Sequence, residues 1–109
     1  MKNNNFSPPK FEERIDFKQL NRQLQPYILQ LLRRLLPDGK VRGREYVAIN
    51  PTRYDKQLGS FKINKLTGKW SDFATSDKGG DFISLWAYVR NLKQIEAAKE
   101  IISIIGRGA

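Results

Sequence analysis

Residues 59–86 read GSFKINKLTGKWSDFATSDKGGDFISLW, and the fold turns on three changes of pattern inside them. β-Branched and aromatic residues crowd positions 60–64 and 69–74, the composition of two strands. Between them Leu66-Thr67-Gly68 reads as a tight turn, because Gly68 tolerates the positive φ that such a hairpin needs. Residues 75–80, TSDKGG, are polar throughout and read as a loop. Asp81 then opens a helix: its side chain suits the N-cap, and Gly79-Gly80 lets the backbone reverse just ahead of it. The expected unit is a β-hairpin running into a capped helix, with basic residues along it.

Working outward, residues 1–10 are polar and carry Pro8-Pro9, so residues 1–14 are expected to form a flexible arm. Asp16 suits the cap of a helix over 17–24 with Phe17, Leu20 and Leu24 on one face. Pro26 fits the first turn of a second helix or a kink in a continuous one. The leucine-rich run 27–36 is the main core helix, ended by Pro37-Asp38-Gly39. Residues 40–44, KVRGR, read as a basic connector, 45–50 as a first strand, and 51–58 as a polar loop. Downstream, 81–90 is a helix with Phe82, Leu85, Trp86 and Val89 at helical spacing. A last helix over 94–105 has Ile95, Ala98, Ile101, Ile102 and Ile105 as its apolar face. The expected fold is α+β over residues 15–105: N-terminal helices, a small three-stranded antiparallel sheet and two C-terminal helices. Residues 106–109 read as a tail or linker.

The chain has 109 residues, enough for one small domain with a modest core. It contains no cysteine and no histidine, which excludes disulfides, the usual zinc ligand sets, and Cys- or His-dependent nucleophilic catalysis. Its net charge is +9, and ten of the 20 basic residues fall between Arg33 and Lys69 against three acids, Asp38, Glu45 and Asp55. Clustered positive charge at this pI is the electrostatic footprint of a phosphate-backbone binder; the bland alternative is a solvated basic surface or a patch facing an acidic protein. No apolar run is long enough to cross a bilayer and residues 1–17 lack a signal-peptide core, so a cytoplasmic location is expected.

If Phe61 and Ile63 face the core, strand alternation turns Lys62 outward, with Lys65 and Lys69 near the hairpin tip. Arg42, Arg44, Arg53 and Lys56 lie in segments around the first strand, where long side chains can gather on phosphates. Lys78 precedes a helix N-terminus, a place where backbone N–H groups bind anions, although the Asp81 carboxylate favours a structural turn there. Trp70 beside Lys69 either stacks on an unpaired base or packs against the following helix. These nine residues, Arg42, Arg44, Arg53, Lys56, Lys62, Lys65, Lys69, Trp70 and Lys78, form the expected nucleic-acid-binding set; Phe61, Ile63 and Phe73 are expected in the core. Asp72, Asp77 and Asp81 sit on a strand, a loop and a cap, with nothing in the spacing to make them converge on a magnesium ion. Neither a cofactor nor catalysis is expected.

Residues 37–105 resemble the N-terminal zinc-ribbon domain of bacterial, phage and plasmid DNA primases. The resemblance rests on Ser60-Phe61, on Trp70-Ser71-Asp72-Phe73, on Gly79-Gly80-Asp81-Phe82-Ile83, on Glu96-Ala97-Ala98, and on the basic lead-in GKVRGREY at 39–46. It implies a small antiparallel sheet, and a DNA-binding role, with single-stranded or template DNA favoured. The expected partner is a replication primase, polymerase or helicase of a phage, plasmid or mobile element. The other reading is a protein-interaction subunit that docks on such an enzyme, with DNA contact secondary. Anchoring on the shared residues places the family's metal-ligand pairs near Pro51 and Tyr54 and at Phe73 and Ser76, none of which ligates zinc as thiolate or imidazole does. The resemblance therefore implies a ribbon that has lost its metal. Tyr54 and Phe73 are expected to fill the space as a small aromatic core, and the N-terminal helices to replace the lost stability.

Overall fold

A computed structural model describes residues 14–107, so most of the expected N-terminal arm and the last two residues lie outside the described residues. Helix α1 (Phe17–Leu24) is followed by a 3₁₀ turn (Gln25–Tyr27) and helix α2 (Ile28–Leu35). The Asp16 carboxylate accepts from the Gln19 N–H at 3.1 Å and so caps α1. Pro26 has no N–H to continue the helical ladder, and the chain tightens into the 3₁₀ turn where it sits. Five short strands follow: β1 (Lys40–Arg42), β2 (Glu45–Ala48), β3 (Phe61–Asn64), β4 (Trp70–Asp72) and β5 (Asp77–Gly79). Helices α3 (Phe82–Arg90) and α4 (Gln94–Gly106) complete the chain.

The fold is α+β, as expected, but the sheet has five strands rather than three. All are antiparallel and their spatial order is their chain order. The two added strands lie at the edges. The basic segment 40–44 is a strand and turn, because Gly43 at φ 61° lets β1 fold back onto β2. The polar loop before α3 contains β5, because Ser76 at φ 67° reverses the chain and returns it alongside β4. Both edge strands are short and charged, a composition that carries no apolar alternation and also guards a free sheet edge.

The helices pack on one face of the sheet. Tyr46, Ala48, Phe61, Ile63 and Trp70 point into a core shared with Leu20, Leu24, Ile28, Leu31 and Leu32 of the N-terminal helices. The same core takes in Phe82, Ile83, Leu85 and Trp86 from α3, and Ala98, Ile101 and Ile105 from α4. Gly68, at φ 82°, closes the β3–β4 turn against the start of α3. A Cβ there would come within 2.6 Å of the Phe82 nitrogen. The Asp81 carboxylate accepts from the Ser84 N–H at 2.8 Å and caps α3, while Asn91, at φ 56°, terminates it. Ile95, expected on the buried face of α4, lies at its exposed start.

Candidate nucleic-acid interface

Strand register decides what the helix-free face of the sheet presents. Directly opposed residues share a face, so the pairs Lys40–Val47, Val47–Lys62, Lys62–Ser71 and Ser71–Lys78 form one row across all five strands. Lysines occupy that row on β1, β3 and β5, at two-strand intervals of about 10 Å. Val47, between Lys40 and Lys62 in that row, is buried but lies outside the main core. Toward one end of the sheet, Arg42 opposes Glu45 and Glu45 opposes Asn64 on the same face.

At that end the β1–β2 and β3–β4 turns are joined. The Lys65 N–H donates to the Arg44 carbonyl at 2.9 Å, which brings Arg44 and Lys65 side by side. The turn beyond Lys65 is organised by Asn64, whose side-chain oxygen accepts from the N–H groups of Leu66 and Thr67. Among the described residues no ion pair engages Lys40, Arg42, Arg44, Lys65, Lys69 or Lys78. Lys62 meets Glu45 only at 4.0 Å, on the surface, where such a pair is worth little. The helix-free face and its turn end are therefore strongly positive, with Glu45 the acid set within them.

The other end carries the loop 49–60 and the β4–β5 turn at 73–76, tied together by a buried polar network. Asp72 is fully buried and points to the helix side. Its carboxylate accepts from Arg53 Nε at 2.8 Å, from Arg53 Nη2 at 3.2 Å, from Asn50 Nδ2 at 2.8 Å and from the Ala74 N–H at 2.9 Å. Asn50, also fully buried, donates to the Tyr88 hydroxyl, which donates in turn to Asp77. The Arg53 guanidinium holds the Asp72 carboxyl well below the usual carboxylate range, with Asn50 and the Ala74 amide adding to it against the cost of burial. Asp55 reaches Arg53 at 3.5 Å and accepts from the Asn50 N–H at 2.8 Å.

This geometry sorts the expected set. Lys62, Arg42 and Lys78 lie on the helix-free face, Lys78 on β5 rather than in a loop; Arg44 and Lys65 lie at its turn end, and Lys69 just before β4. Arg53 is committed to Asp72 and Ser60. Trp70 is buried: its indole N–H donates to Ser84 Oγ at 2.9 Å, and its ring packs on Tyr88 at 4.4 Å and edge-on to Phe61 at 6.2 Å. A ring so enclosed has no free face for a base, and core packing is the outcome for Trp70.

The expected aromatic core of Tyr54 and Phe73 is not formed. Phe73 is 72% exposed and Tyr54 84% exposed. The reason for Phe73 is parity. With Trp70 and Asp72 turned inward, Ser71 and Phe73 must turn outward, and the Phe73 N–H still pairs with the Ser60 carbonyl at 3.0 Å. Each exposed ring has a lysine over it, Lys62 at 5.7 Å from the Phe73 centroid and Lys56 at 5.1 Å from that of Tyr54. Lys40 joins the face without any signal in the sequence, because its place opposite Val47 emerges only once β1 is recognised as a strand.

The acidic set does not converge, and each member is engaged elsewhere. Asp72 holds Arg53, Asp77 accepts from Tyr88, and Asp81 caps α3. Among the described residues, no cluster of His, Cys, Asp or Glu is arranged to hold a metal ion. No helix among them is long and apolar enough to cross a membrane. Comparison with protein-family models, with curated proteins and with solved structures returned no match.

Proposed function

We propose that this chain is a DNA-binding module that holds single-stranded or template DNA on the helix-free face of its sheet, in the service of a replication primase, polymerase or helicase. The observation that carries the reading is the row Lys40–Lys62–Lys78 across β1, β3 and β5, continued by Arg42, Arg44 and Lys65. Cations at intervals along an open surface match a polyanion better than a compact anion, and among the described residues no acid beyond Glu45 interrupts the row.

The resemblance to primase ribbons fits the same picture. The two segments where it would put metal-ligand pairs, around 51–54 and 73–76, are the segments that Arg53, Asp72 and Asn50 link by hydrogen bonds. Burying a leucine-sized side chain contributes roughly 1.5–3 kcal/mol. The five buried side chains of α1 and α2 therefore contribute a gross stabilisation comparable with the ~10 kcal/mol of a structural zinc.

The test is a fluorescence-anisotropy titration of single- and double-stranded oligonucleotides at two salt concentrations, with the parent and a Lys62→Glu/Lys69→Glu variant. Salt-sensitive binding that the variant loses supports the reading. An absence of binding by the parent at low salt overturns it and leaves the charge to a protein partner.

A further inference from the structure

We propose that Phe73 and Tyr54 form a two-ring stacking platform for unpaired bases, so that the helix-free face selects a single strand over a duplex. The inference rests on the nucleic-acid reading above and names what that surface recognises. Alternation and the Lys62 contact place Phe73 on the same face as the lysine row, one residue beyond β4 and diagonal to Lys62. Tyr54 lies in the 49–60 loop at the same end of the sheet. The Arg53–Asp72 pair ties the two segments that carry the rings together, since Tyr54 directly follows Arg53 and Phe73 directly follows Asp72.

Folding does not account for these rings. Among the described residues most other large apolar side chains are buried, whereas Phe73 and Tyr54 forgo most of the stabilisation that burial returns. A lone exposed apolar residue is ordinary. Here there are two aromatic rings, each with an ammonium group over it, and the cation over Phe73 is Lys62 of the lysine row. An aromatic face beside a cation is the combination that grips a nucleotide, the ring taking the base and the cation the phosphate. With phosphates along Lys40, Lys62 and Lys78, bases turned toward the loop end of the sheet meet the two rings. The bases of a duplex are already stacked on one another and leave the rings nothing to take, so a duplex gains only the charge contribution.

The experiment titrates three fluorescent probes, each about 12 nucleotides long, a length within the footprint such surfaces cover. They are oligothymidylate, an abasic deoxyribose-phosphate strand, and a duplex; oligouridylate serves as a fourth probe to separate DNA from RNA. Phe73→Ala is expected to weaken oligothymidylate binding about tenfold or more, Tyr54→Ala to weaken it less, and Phe73→Trp to retain it. The same variants leave abasic-strand and duplex binding within about twofold of the parent, against the order-of-magnitude loss that a stacked base implies. Both positions are exposed, so the alanine variants are expected to keep the parent's circular dichroism and melting temperature. Equal loss on all probes, or no loss on oligothymidylate while Lys62→Glu still abolishes binding, overturns stacking and leaves the phosphate-binding face intact. If the parent binds none of the probes, the nucleic-acid reading falls, and the platform with it.

Discussion

Asp72 is the residue on which the loop end of the sheet depends. It is a fully buried carboxylate that accepts from a guanidinium, a side-chain amide and a backbone amide. Truncation to alanine strands those donors, and losing one partner of a buried charge pair costs about 3–5 kcal/mol. Arg53 keeps a quarter of its side chain exposed and can turn to water, so Asp72→Ala is expected to cost about 3 kcal/mol, read from urea unfolding at neutral pH. The pH dependence follows from the depressed folded-state pKa. The ionised form is the stabilising one, so its contribution is complete above the unfolded value of about 3.9 and fades as pH falls toward the folded value. The difference in urea midpoint between the parent and Asp72→Asn should therefore be constant from about pH 5 to 7 and shrink below about pH 4.

Phe73 shows at the same scale what the sequence leaves undecided. Its apolar character argues for burial, and only its odd spacing from Trp70 argues against. Once Trp70 is known to face inward, Phe73 cannot. The sequence does not settle Trp70, because a tryptophan beside a lysine fits either face. Asp72 breaks the apolar pattern on the inward side and is tolerated there only because Arg53, 19 positions earlier, returns to meet it. Pairings at that separation leave no local trace.

Elements with strong local signals match their expected positions. Both helix caps at aspartate, the end of α3 at Arg90 and the turn at Gly68 follow from side-chain chemistry confined to a few residues. The edge strands β1 and β5 escape a reading of the sequence because neither has apolar alternation; each is held by pairing to a neighbour whose own apolar residues decide the register. Gly68 is the element-scale test. It combines a positive φ with contact against the first residue of α3, so Gly68→Ala imposes backbone strain and pushes the hairpin off the helix. A loss above ~1 kcal/mol is expected, seen as a fall of several degrees in thermal midpoint. Gly43 has a similar φ but no atom near its absent Cβ, so Gly43→Ala should cost less.

For the molecule as a whole the decisive quantity is charge over area. The described residues measure 40 × 31 × 18 Å, with the helices on one side of the sheet and the basic row on the other. If about four phosphates are neutralised on that face, log affinity for a single strand falls with log salt at a slope near −3. From about 50 to 200 mM salt the affinity then drops roughly fifty-fold. Removing one contact, as in Lys40→Ala, should make that slope shallower by about 0.7 while leaving the melting temperature unchanged, a pair of measurements that separates a ligand contact from a structural one.

The strand order β1 to β5, each pairing only with its neighbours in the chain, also governs how the chain reaches its native state. Every pairing is a hairpin, and the longest to close spans residues 49–60. Closing a loop of that length costs little more entropy than closing a tight turn, so the sheet can zip outward from the β3–β4 hairpin without waiting for a distant segment. Refolding as a single exponential faster than typical all-β domains of this size is the kinetic signature of that order. The helix-free face then forms as soon as its neighbouring strands have met.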